Sequence, residues 1–468
     1  EVAAYPGGNN DIAKVVQSLP GVSGSVGGFR NDVIIRGGAP NENVYYLDGV
    51  EIPSINHFST QGSAGGPVGL LNVSFFEGVT LSSSAFGAQY DNVLSGVLQF
   101  DQRNGNNRKM VTNLRVSSSE AALTLEGPLF KGKKEEAKTT YIASVRRSYL
   151  QLLFQVIGLP FLPDYWDYQY KINHKINDYN DIYITAVGAI DDLEINKIED
   201  FSPEQQAIQD QIPVIGQYSS TLGVGWRKRF KDNSGFMRTT VSTNYLKNEF
   251  RQFKDNVNQD SLYLQNNSVE NEYRLRFSLT KYVGKWTNTF GLVVVQGNYQ
   301  TELRNLINNQ QFNTDLSLVR YGAFAQTSTK FFQDRLGFSM GIRTDGNNFT
   351  NTGNELWRTL SPRAAVSYKL NKIGNWTANA SIGRYFKILP YTTLGFKDNN
   401  DEYINRSAEY IISNHVVAGI EHLLSRASRI TVEGFYKYYE NYPVSVIDQI
   451  SLANKGGGFE VFGSEPIT

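Results

Sequence analysis

From about residue 108 onward, the chain alternates apolar and polar positions with a period of two. In Arg429–Tyr439, Ile430 and Val432 fall on one face, whereas Thr431 and Glu433 fall on the other. The same alternation recurs in His415–His422 and Arg320–Phe331. A period of two is typical of β-strands whose two faces meet different surroundings. This part of the chain is therefore predicted to be an extended β-structure.

The connections between these strands fall into two groups by length. The short ones are Lys231–Gly235, Val283–Lys285, Gln333–Asp334, Asn371–Asn375 and Ser425–Ser428. The long ones are Asp191–Gly216, Arg251–Gln265, Asn305–Asp315, Asn348–Glu355 and Lys387–Ala408. Short and long connections alternate, which is typical of a transmembrane β-barrel with tight turns on one side of the membrane and long loops on the other. We count about fifteen strands from Lys109 to Glu440.

The first hundred residues follow another pattern, irregular and rich in small residues. Asp11 caps a predicted helix, Ile12–Leu19, which Pro20-Gly21 ends, and Asp48-Gly49 makes a turn. The predicted strands are Asp32–Arg36, Val44–Leu47, Ser74–Leu81 and Val93–Phe100. The chain is therefore predicted to be mostly β: a small α+β domain in residues 1–106 and a large antiparallel transmembrane β-barrel in residues 107–468.

Composition agrees with this prediction and excludes other classes. Mean hydropathy is −0.36, but the alternating faces of a barrel cancel in such an average. Lys+Arg and Asp+Glu are 45 each, so no bulk charge points to nucleic acid. There is no cysteine, which excludes a disulfide framework and a thiol nucleophile. No apolar run reaches the roughly 20 residues of a membrane helix, so a membrane-spanning form has to be a closed barrel.

Several segments of the first hundred residues occur in the order and spacing of a known domain. They are Ser18–Val22 (SLPGV), Val33–Gly38 (VIIRGG), Val44–Val50 (VYYLDGV), Phe76–Val79 (FEGV), Phe86–Tyr90 (FGAQY) and Ser95–Leu98 (SGVL). This series resembles the plug of a TonB-dependent receptor, an outer-membrane transporter in which a plug fills a β-barrel. The barrel segments Gly341–Asp345 and Leu360–Arg363 fit the family at lower specificity, and the style resembles receptors of the Bacteroidetes type.

The resemblance implies 22 strands in an intact receptor, of which about 15 are expected here. We therefore expect both ends to be incomplete. The TonB box, which the energising TonB complex grasps, is expected before Glu1, and about seven strands are expected after Thr468. The implied location is the outer membrane, crossed many times.

The resemblance implies active import of a small nutrient, such as a glycan, a peptide or a metal chelate. The implied partners are the TonB complex, a surface-exposed lipoprotein and outer-membrane lipid, without nucleic acid. An alternative of another class is an uncoupled barrel scaffold in an outer-membrane secretion or biogenesis complex. A third, a soluble all-β binding protein, predicts solubility without detergent and does not account for the alternating loop lengths.

No motif of catalysis or cofactor binding is present. The four histidines show no H-E-x-x-H spacing, and no G-x-S-x-G or phosphate-binding loop occurs. Asp191-Asp192 fall in a predicted loop and are interpreted as solvated, and Asp191–Asp210 lacks the ligand spacing of a calcium loop. We therefore expect no enzyme activity, no metal and no cofactor.

In the family, two plug loops rise to the apex and touch substrate, and these correspond here to Ser23–Asn31 and Pro53–Gly66. Both loops are polar and rich in Gly and Ser, which lets a backbone approach a ligand closely. The candidate contacts are Arg30, Asn31, Asn56, His57, Phe58, Thr60 and Gln61. The alternative is that these are solvated loop residues.

An apolar segment, Tyr149–Tyr168, falls where an extracellular loop is expected. Leu150, Leu153, Val156 and Ile157 have partly helical spacing within it. We interpret it as a loop that packs its own apolar residues under its neighbours. The alternative is an apolar ligand wall or a dock for a surface lipoprotein.

Arg36 and Glu77 are predicted to lock the plug to the barrel, because their family counterparts lie among charges between the two. A charge in that confined space needs a partner. We expect Arg36→Ala to loosen the plug, so that the plug is cleaved faster by protease and the pore conducts more. Unchanged proteolysis together with unchanged conductance would contradict the locking role.

Overall fold

The computed structural model describes residues 11–24, 30–62, 65–130, 136–197, 202–203, 209, 212–307, 310–398, 400–425, 428–455 and 464–468. Within these residues the chain forms 21 strands and three short α-helices: α1 (Ile12–Gln17), α2 (Leu150–Val156) and α3 (Tyr391–Leu394). In the described part of the chain, no helix is long and apolar enough to cross a membrane.

The plug, which is the unit before residue 106, contains α1 and six strands. They are β1 (Val22–Ser23), β2 (Ile34–Ile35), β3 (Asn43–Leu47), β4 (Val50–Ile52), β5 (Phe76–Ser82) and β6 (Gly96–Gln102). β1 pairs with β2, and the other four form a sheet in the order β4-β3-β6-β5. β3 and β6 are parallel, whereas β3–β4 and β5–β6 are antiparallel.

Local signals in the plug sequence place its first elements. The Asp11 side chain accepts a hydrogen bond of 2.9 Å from the backbone N–H of Ala13, which caps α1 as predicted. Asp48 and Gly49 have φ of 53° and 86°, the left-handed pair that closes a tight hairpin, and they join β3 to β4. The predicted strand Asp32–Arg36 is shorter in the structure and is reduced to β2.

The core of the plug lies between its sheet and α1 and extends to the surrounding wall. Leu98 and Phe100 of β6 are fully buried, and Ile35 and Leu47 pack in the same cluster. Val187 from the second unit belongs to this cluster too. The plug is therefore packed against its enclosure and shares a core with it.

The second unit is one antiparallel sheet of fifteen strands in chain order, which confirms the predicted class and strand count. Its strands are β7 (Val111–Val116), β8 (Glu120–Pro128), β9 (Thr139–Ser148), β10 (Phe161–Asn177), β11 (Asn180–Ile195), β12 (Val214–Arg229), β13 (Gly235–Asp255), β14 (Asp260–Val283), β15 (Trp286–Asn305), β16 (Gln310–Phe331), β17 (Leu336–Asn347), β18 (Ser361–Lys369), β19 (Trp376–Lys387), β20 (Ile411–Leu423) and β21 (Arg429–Glu440). Side chains from β9 through β21 contact the plug, so the sheet curves around it as a barrel wall.

The outward face of β15 marks where the membrane band ends. Phe290, Leu292 and Val294 point outward and are 49%, 42% and 38% exposed, whereas the alternate residues Val293 and Val295 are buried against the interior. Beyond Val294 the outward positions are Gln, Asn, Gln, Glu and Arg. Since the apolar band of such barrels is about 25 Å tall, the second half of this strand extends beyond the membrane.

The prediction of long loops at Arg251–Gln265 and Asn305–Asp315 is wrong. β13 and β14 continue as a paired hairpin up to residues 256–259, with Arg251 opposite Gln265. β15 and β16 continue in the same way, up to Asn305 opposite Gln310. Strands beyond the membrane meet water on their outer face, so their composition resembles that of a loop.

The segment Tyr149–Tyr168 is only in part a loop, because it contains α2 and the start of β10. Phe154 packs on Phe161 with ring centroids 5.3 Å apart. Val156 and Leu152 are 85% and 58% exposed, so the interpretation that the segment packs its apolar residues under its neighbours is wrong for these positions. A lipoprotein dock at this segment stays a prediction.

We expect Phe100→Ala to destabilise the plug by about 3–5 kcal/mol, because it removes a fully buried ring from the core. The matched control is Phe130→Ala, since Phe130 is 77% exposed. That change should cost about 0.5 kcal/mol or less. The measurement is proteolysis of the plug in increasing urea, and equal midpoints for the two variants would contradict the described core.

Candidate functional site

The two predicted apex loops meet in the structure and are tied to each other. The Arg30 guanidinium donates to Thr60 Oγ1 at 2.7 Å and pairs with Asp32 at 2.9 Å. The Asn56 amide donates to the backbone carbonyl of Asn31 at 3.0 Å. Residues 25–29 of the first predicted loop and 63–64 of the second lie outside the described residues. Of the side chains in these contacts, only that of Thr60 is partly exposed, and the others are buried. Their role in the structure is therefore to hold the two loops together.

His57 docks the second loop to the barrel wall. Its Nδ1 lies 2.7 Å from a carboxylate oxygen of Asp191 on β11, and its Nε2 lies 3.2 Å from Asp167 on β10. The ring stacks on Tyr165 at a centroid distance of 3.9 Å. Arg146 of β9 donates to Asp167 at 2.6 Å. One imidazole thus joins the plug to β10 and β11, and Arg146 of β9 lies 3.4 Å from its Nε2.

The interpretation of Asp191 as a solvated loop residue is wrong. β11 runs on to Ile195, and Asp191 is an inward position that is 2% exposed. Its second oxygen accepts from the backbone N–H of Phe58 at 3.0 Å. The sequence suggested a loop because the strand extends farther than its apolar stretch. Much of Asp191–Asp210 lies outside the described residues.

The electrostatics of His57 favour its charged form. Burial alone lowers the pKa of His57, but Asp191 and Asp167 outweigh burial, and the pKa is raised above its ordinary value. A charged imidazole between two carboxylates is a buried ion pair, and such a group is costly to leave without its partners. The His57 contact therefore behaves as a latch.

The remaining candidates divide between core and cavity. Phe58, with a φ of 54°, packs in an apolar cluster with Phe161 and Phe250 of the wall. Gln61 accepts from Ser268 and donates to Glu270 at 3.4 Å. Thus Phe58 is a packing residue, whereas Gln61 reaches barrel residues that line an open space.

A second set of charges crosses between plug and wall beside β14. Glu51 of the plug pairs with Arg274 and with Arg276, and Arg276 also pairs with Asp91. Burial raises the pKa of Asp91, but the guanidinium of Arg276 and further arginines outweigh burial and hold that pKa at about 2. The carboxyl of Asp91 is therefore ionised at neutral pH.

Of the two predicted locking residues, Arg36 reaches the wall. It pairs with Glu433 of β21 and lies 5.2 Å from the ring of Phe435. Glu77 is exposed on β5, the edge strand of the plug sheet, and the described residues include no ion pair for it. The locking role stays a prediction for both residues, with a visible partner for Arg36.

A cavity of about 160 Å³ lies between the apex and the wall. Thr60 and Gln61 line it from the plug. The barrel lines it with the charged or aromatic residues Glu270, Glu272, Arg274, Arg320, Lys387 and Tyr391. Glu270 pairs in register with Tyr299, beyond the apolar band that ends at Val294, so the cavity lies on the long-loop side of the membrane.

The barrel residues of this site were absent from the sequence prediction, although a signal for them exists. Arg274 and Arg276 are two residues apart on β14, on the face opposite Tyr273 and Leu275. Because alternate residues of a strand share a face, two charges at this spacing indicate that their face points to the barrel interior and not to lipid. In the described part of the chain, no group of three or more His, Cys, Asp or Glu residues is placed to hold a metal.

Comparison with known families finds two matches. Residues 5–97 match the model described as TonB-dependent Receptor Plug Domain, and residues 158–461 match the one described as TonB dependent receptor-like, beta-barrel. A search of curated proteins finds no match.

Several solved structures share the fold. A mutant of the ferric enterobactin receptor PfeA from Pseudomonas aeruginosa has 15% identity and a TM-score of 0.67, over 93% of this chain and 70% of that one. The siderophore receptor PirA from Acinetobacter baumannii has 14% identity and a TM-score of 0.67, over 93% and 69%. The outer membrane transporter YddB from Escherichia coli has 14% identity and a TM-score of 0.65, over 95% and 69%.

We expect the His57 latch to weaken as pH rises. Because the folded pKa is raised above the ordinary value near 6.5, the stabilisation is fully present below about pH 6.5 and is lost as pH rises through the folded pKa. Hydrogen exchange of residues 54–58 should therefore accelerate with pH beyond the intrinsic chemical rate.

The variant His57→Gln should lose this dependence and loosen the loop by about 3–5 kcal/mol below the folded pKa, with a smaller difference from the wild type above it. The matched control is His174→Gln, because His174 is exposed near the short-turn end of β10. A pH dependence that survives in His57→Gln, or disappears in His174→Gln, would contradict the latch.

Proposed function

The chain belongs to the TonB-dependent receptor family, and on this premise we propose that it imports a nutrient, namely a glycan, a peptide or a metal chelate. The protein is located in the outer membrane, which its strands cross many times. Its family is one of receptors and transporters, without bond chemistry of its own. The plug fills the barrel, so passage requires that the plug moves.

The cavity at the plug apex is the observation that supports import most directly. Thr60 and Gln61 of the plug line it together with charged residues of three barrel strands. A ligand bound there would touch the plug and the wall at once, so binding can be sensed by the plug. Ligand binding shifts a conformational equilibrium only through different contacts in the two states.

The size and the lining of the apex cavity limit which part of a ligand can enter it. Its volume of about 160 Å³ is smaller than the roughly 300–1,000 Å³ of a pocket for a whole drug-sized ligand. It therefore admits one ring or one polar group of a larger nutrient. Carboxylates and guanidinium groups both line it, so that group is polar and makes several hydrogen bonds.

Energy coupling follows from the family. The proposed partner is the TonB complex, which would pull the plug from the periplasmic side, with outer-membrane lipid around the barrel. A surface lipoprotein that covers the long-loop side and an origin in the Bacteroidetes stay predictions. An uncoupled scaffold remains the competing function and predicts no dependence on the proton-motive force.

We expect Thr60→Tyr to lower nutrient uptake about tenfold or more, because a larger side chain fills the cavity and overpacking costs about 1–3 kcal/mol. The measurement is growth of a deletion strain that carries the variant, with a glycan, a peptide mixture or a metal chelate as the limiting nutrient. The matched control is Thr80→Tyr, an exposed position on β5.

A protonophore should abolish the uptake that remains in Thr80→Tyr. Uptake that survives the protonophore would contradict coupled import. Equal growth of the deletion strain and the wild type on every nutrient would contradict import altogether and favour the scaffold.

A further inference from the structure

The connection between β5 and β6 is much longer than its geometry requires. These two strands are antiparallel neighbours, which a turn of about two residues can join. Thirteen residues, 83–95, connect them instead and form no helix or strand. Unstructured connections of this length in a compact domain are commonly functional. Residues 84–92 of this connection lie against the barrel wall and are called the gate segment here.

Barrel side chains grip the backbone of the gate segment. Arg363 of β18 donates to the carbonyls of Phe86, Gly87 and Tyr90 at 3.2, 2.5 and 3.1 Å. Arg343 of β17 donates to Ala88 at 3.3 Å.

Three more strands complete the grip. Arg276 of β14 donates to the carbonyl of Gln89 at 3.1 Å, and Lys387 of β19 donates to that of Asn92 at 3.2 Å. Gln326 of β16 accepts from the N–H of Ala88 at 2.8 Å. Six carbonyls of the gate segment are thus held by cationic side chains of the wall.

The segment also fits the wall closely and has hinge-like ends. A Cβ built on Gly341 of β17 would lie 2.9 Å from Cβ of Ala88, so only glycine allows this approach. Ala85 and Asn92, near the two ends, have φ of 53° and 55°. Left-handed backbone is costly for Ala85, whereas Asn92 tolerates it, and strain of the kind at Ala85 is found at switch regions.

The two ends of the gate segment line two different cavities. Its last residue, Asn92, lines the apex cavity of about 160 Å³. Its first residues, Ser84 and Ala85, line a larger cavity of about 680 Å³ beside β15–β20. That lower cavity lies next to the short turns, and small hydroxyl side chains line its wall: Thr287, Ser328, Ser339, Ser367 and Ser381.

We propose that residues 84–92 form the gate between these two cavities, and that Arg363 and Arg343 are positioning residues that hold it shut. When the segment leaves the wall, a passage opens along β15–β19 from the apex cavity to the lower cavity and the periplasmic side. In the lower cavity a polar substrate can exchange hydrogen bonds with the five hydroxyl side chains of the wall. The inference rests on the proposed import function and adds its route.

The route requires less disruption than removal of the whole plug. The His57 latch and the Glu51–Arg274 pair face β9–β11 and β14, and they remain intact while the gate segment swings. The contacts that break are the hydrogen bonds to carbonyls of the gate segment, the pair of Asp91 with Arg276, and the packing of Phe86 on Tyr385 at a centroid distance of 4.2 Å. Arg276 keeps Glu51 as a partner, and water can replace the bonds to the carbonyls. The plug can thus stay seated while one of its connections moves.

The gate is tested by the conductance of the intact receptor in planar bilayers, with potassium chloride as the probe. Arg363→Gln removes three hydrogen bonds from a charged donor, and each such bond is worth about tenfold in an equilibrium. We therefore expect the open probability to rise about tenfold or more. Gly341→Leu, which pushes Ala88 from the wall without removing a charge, is expected to do the same.

Tethering decides whether this segment is what moves. These 468 residues contain no cysteine, so an introduced pair is the only thiol pair within them. Ala88→Cys with Gly341→Cys ties the gate segment to β17 after a shift of about 1 Å, since disulfides need a Cβ separation near 3.8 Å. In the Arg363→Gln background, oxidation should return the conductance to the wild-type level, and a reductant should raise it again.

The control tether is Val50→Cys with Gly223→Cys, which ties β4 of the plug to β12 across a Cβ distance of 3.1 Å. It should leave the conductance of Arg363→Gln high. If this tether also closes the pore, the whole plug moves and the gate is wrong. If the Ala88–Gly341 tether leaves the pore open, or neither Arg363→Gln nor Gly341→Leu raises conductance, the gate is equally wrong.

The readout does not depend on nutrient uptake. Salt conductance needs neither a known ligand nor the TonB complex. If the receptor fails every uptake assay but shows the expected conductance of the two tethers, the gate proposal stands and the import proposal is wrong. If uptake is observed but the tethers do not behave as expected, import stands and the gate is wrong.

Discussion

The structure depends on one constraint: a charge enclosed between plug and wall has to find its partner in that same narrow space. Water is largely excluded there, so an unpaired ion would cost several kcal/mol. His57 between Asp167 and Asp191, and Arg276 between Glu51 and Asp91, satisfy this requirement across the interface. Each pair helps to fix the orientation of the plug, because a partner that rotates away is stranded unless water or a second opposite charge replaces what it loses.

Much of the fold could be predicted because its signals are local. A capping Asp11, the Asp48-Gly49 turn and the alternation of β21 each act within a few residues of themselves. The number of barrel strands followed from the same alternation, and the plug motifs followed from their order. The site was predicted less well. Sequence reasoning named the plug side of the interface, including His57 and Arg36, without the wall residues that meet them.

The wall residues could not be predicted because they lie far along the chain from their plug partners. His57 and Asp191 are 134 positions apart, and Arg36 and Glu433 are 397 apart, so no window of sequence contains both partners. Asp191 also lies in a strand that continues past its apolar stretch, where composition no longer separates strand from loop. The same ambiguity caused the error at Arg251–Gln265. The hydrophobic pattern of a strand reflects what surrounds its two faces. Where water lies on one face and a polar interior on the other, the alternation disappears, and the pattern no longer distinguishes a strand from a loop.

The paired strands beyond the membrane have a consequence for how the cell surface meets this protein. The polar half of β15, residues 296–305, rises about 25 Å above the lipid at about 3.3 Å per residue with the tilt of a barrel strand. A hydrogen-bonded ladder of that height is stiff, unlike a free loop. Its tip therefore presents a fixed shape to large particles outside the cell, such as an antibody or a phage tail, and stands farther from the lipid than the apex cavity, which lies at the level of Glu270 and Tyr299.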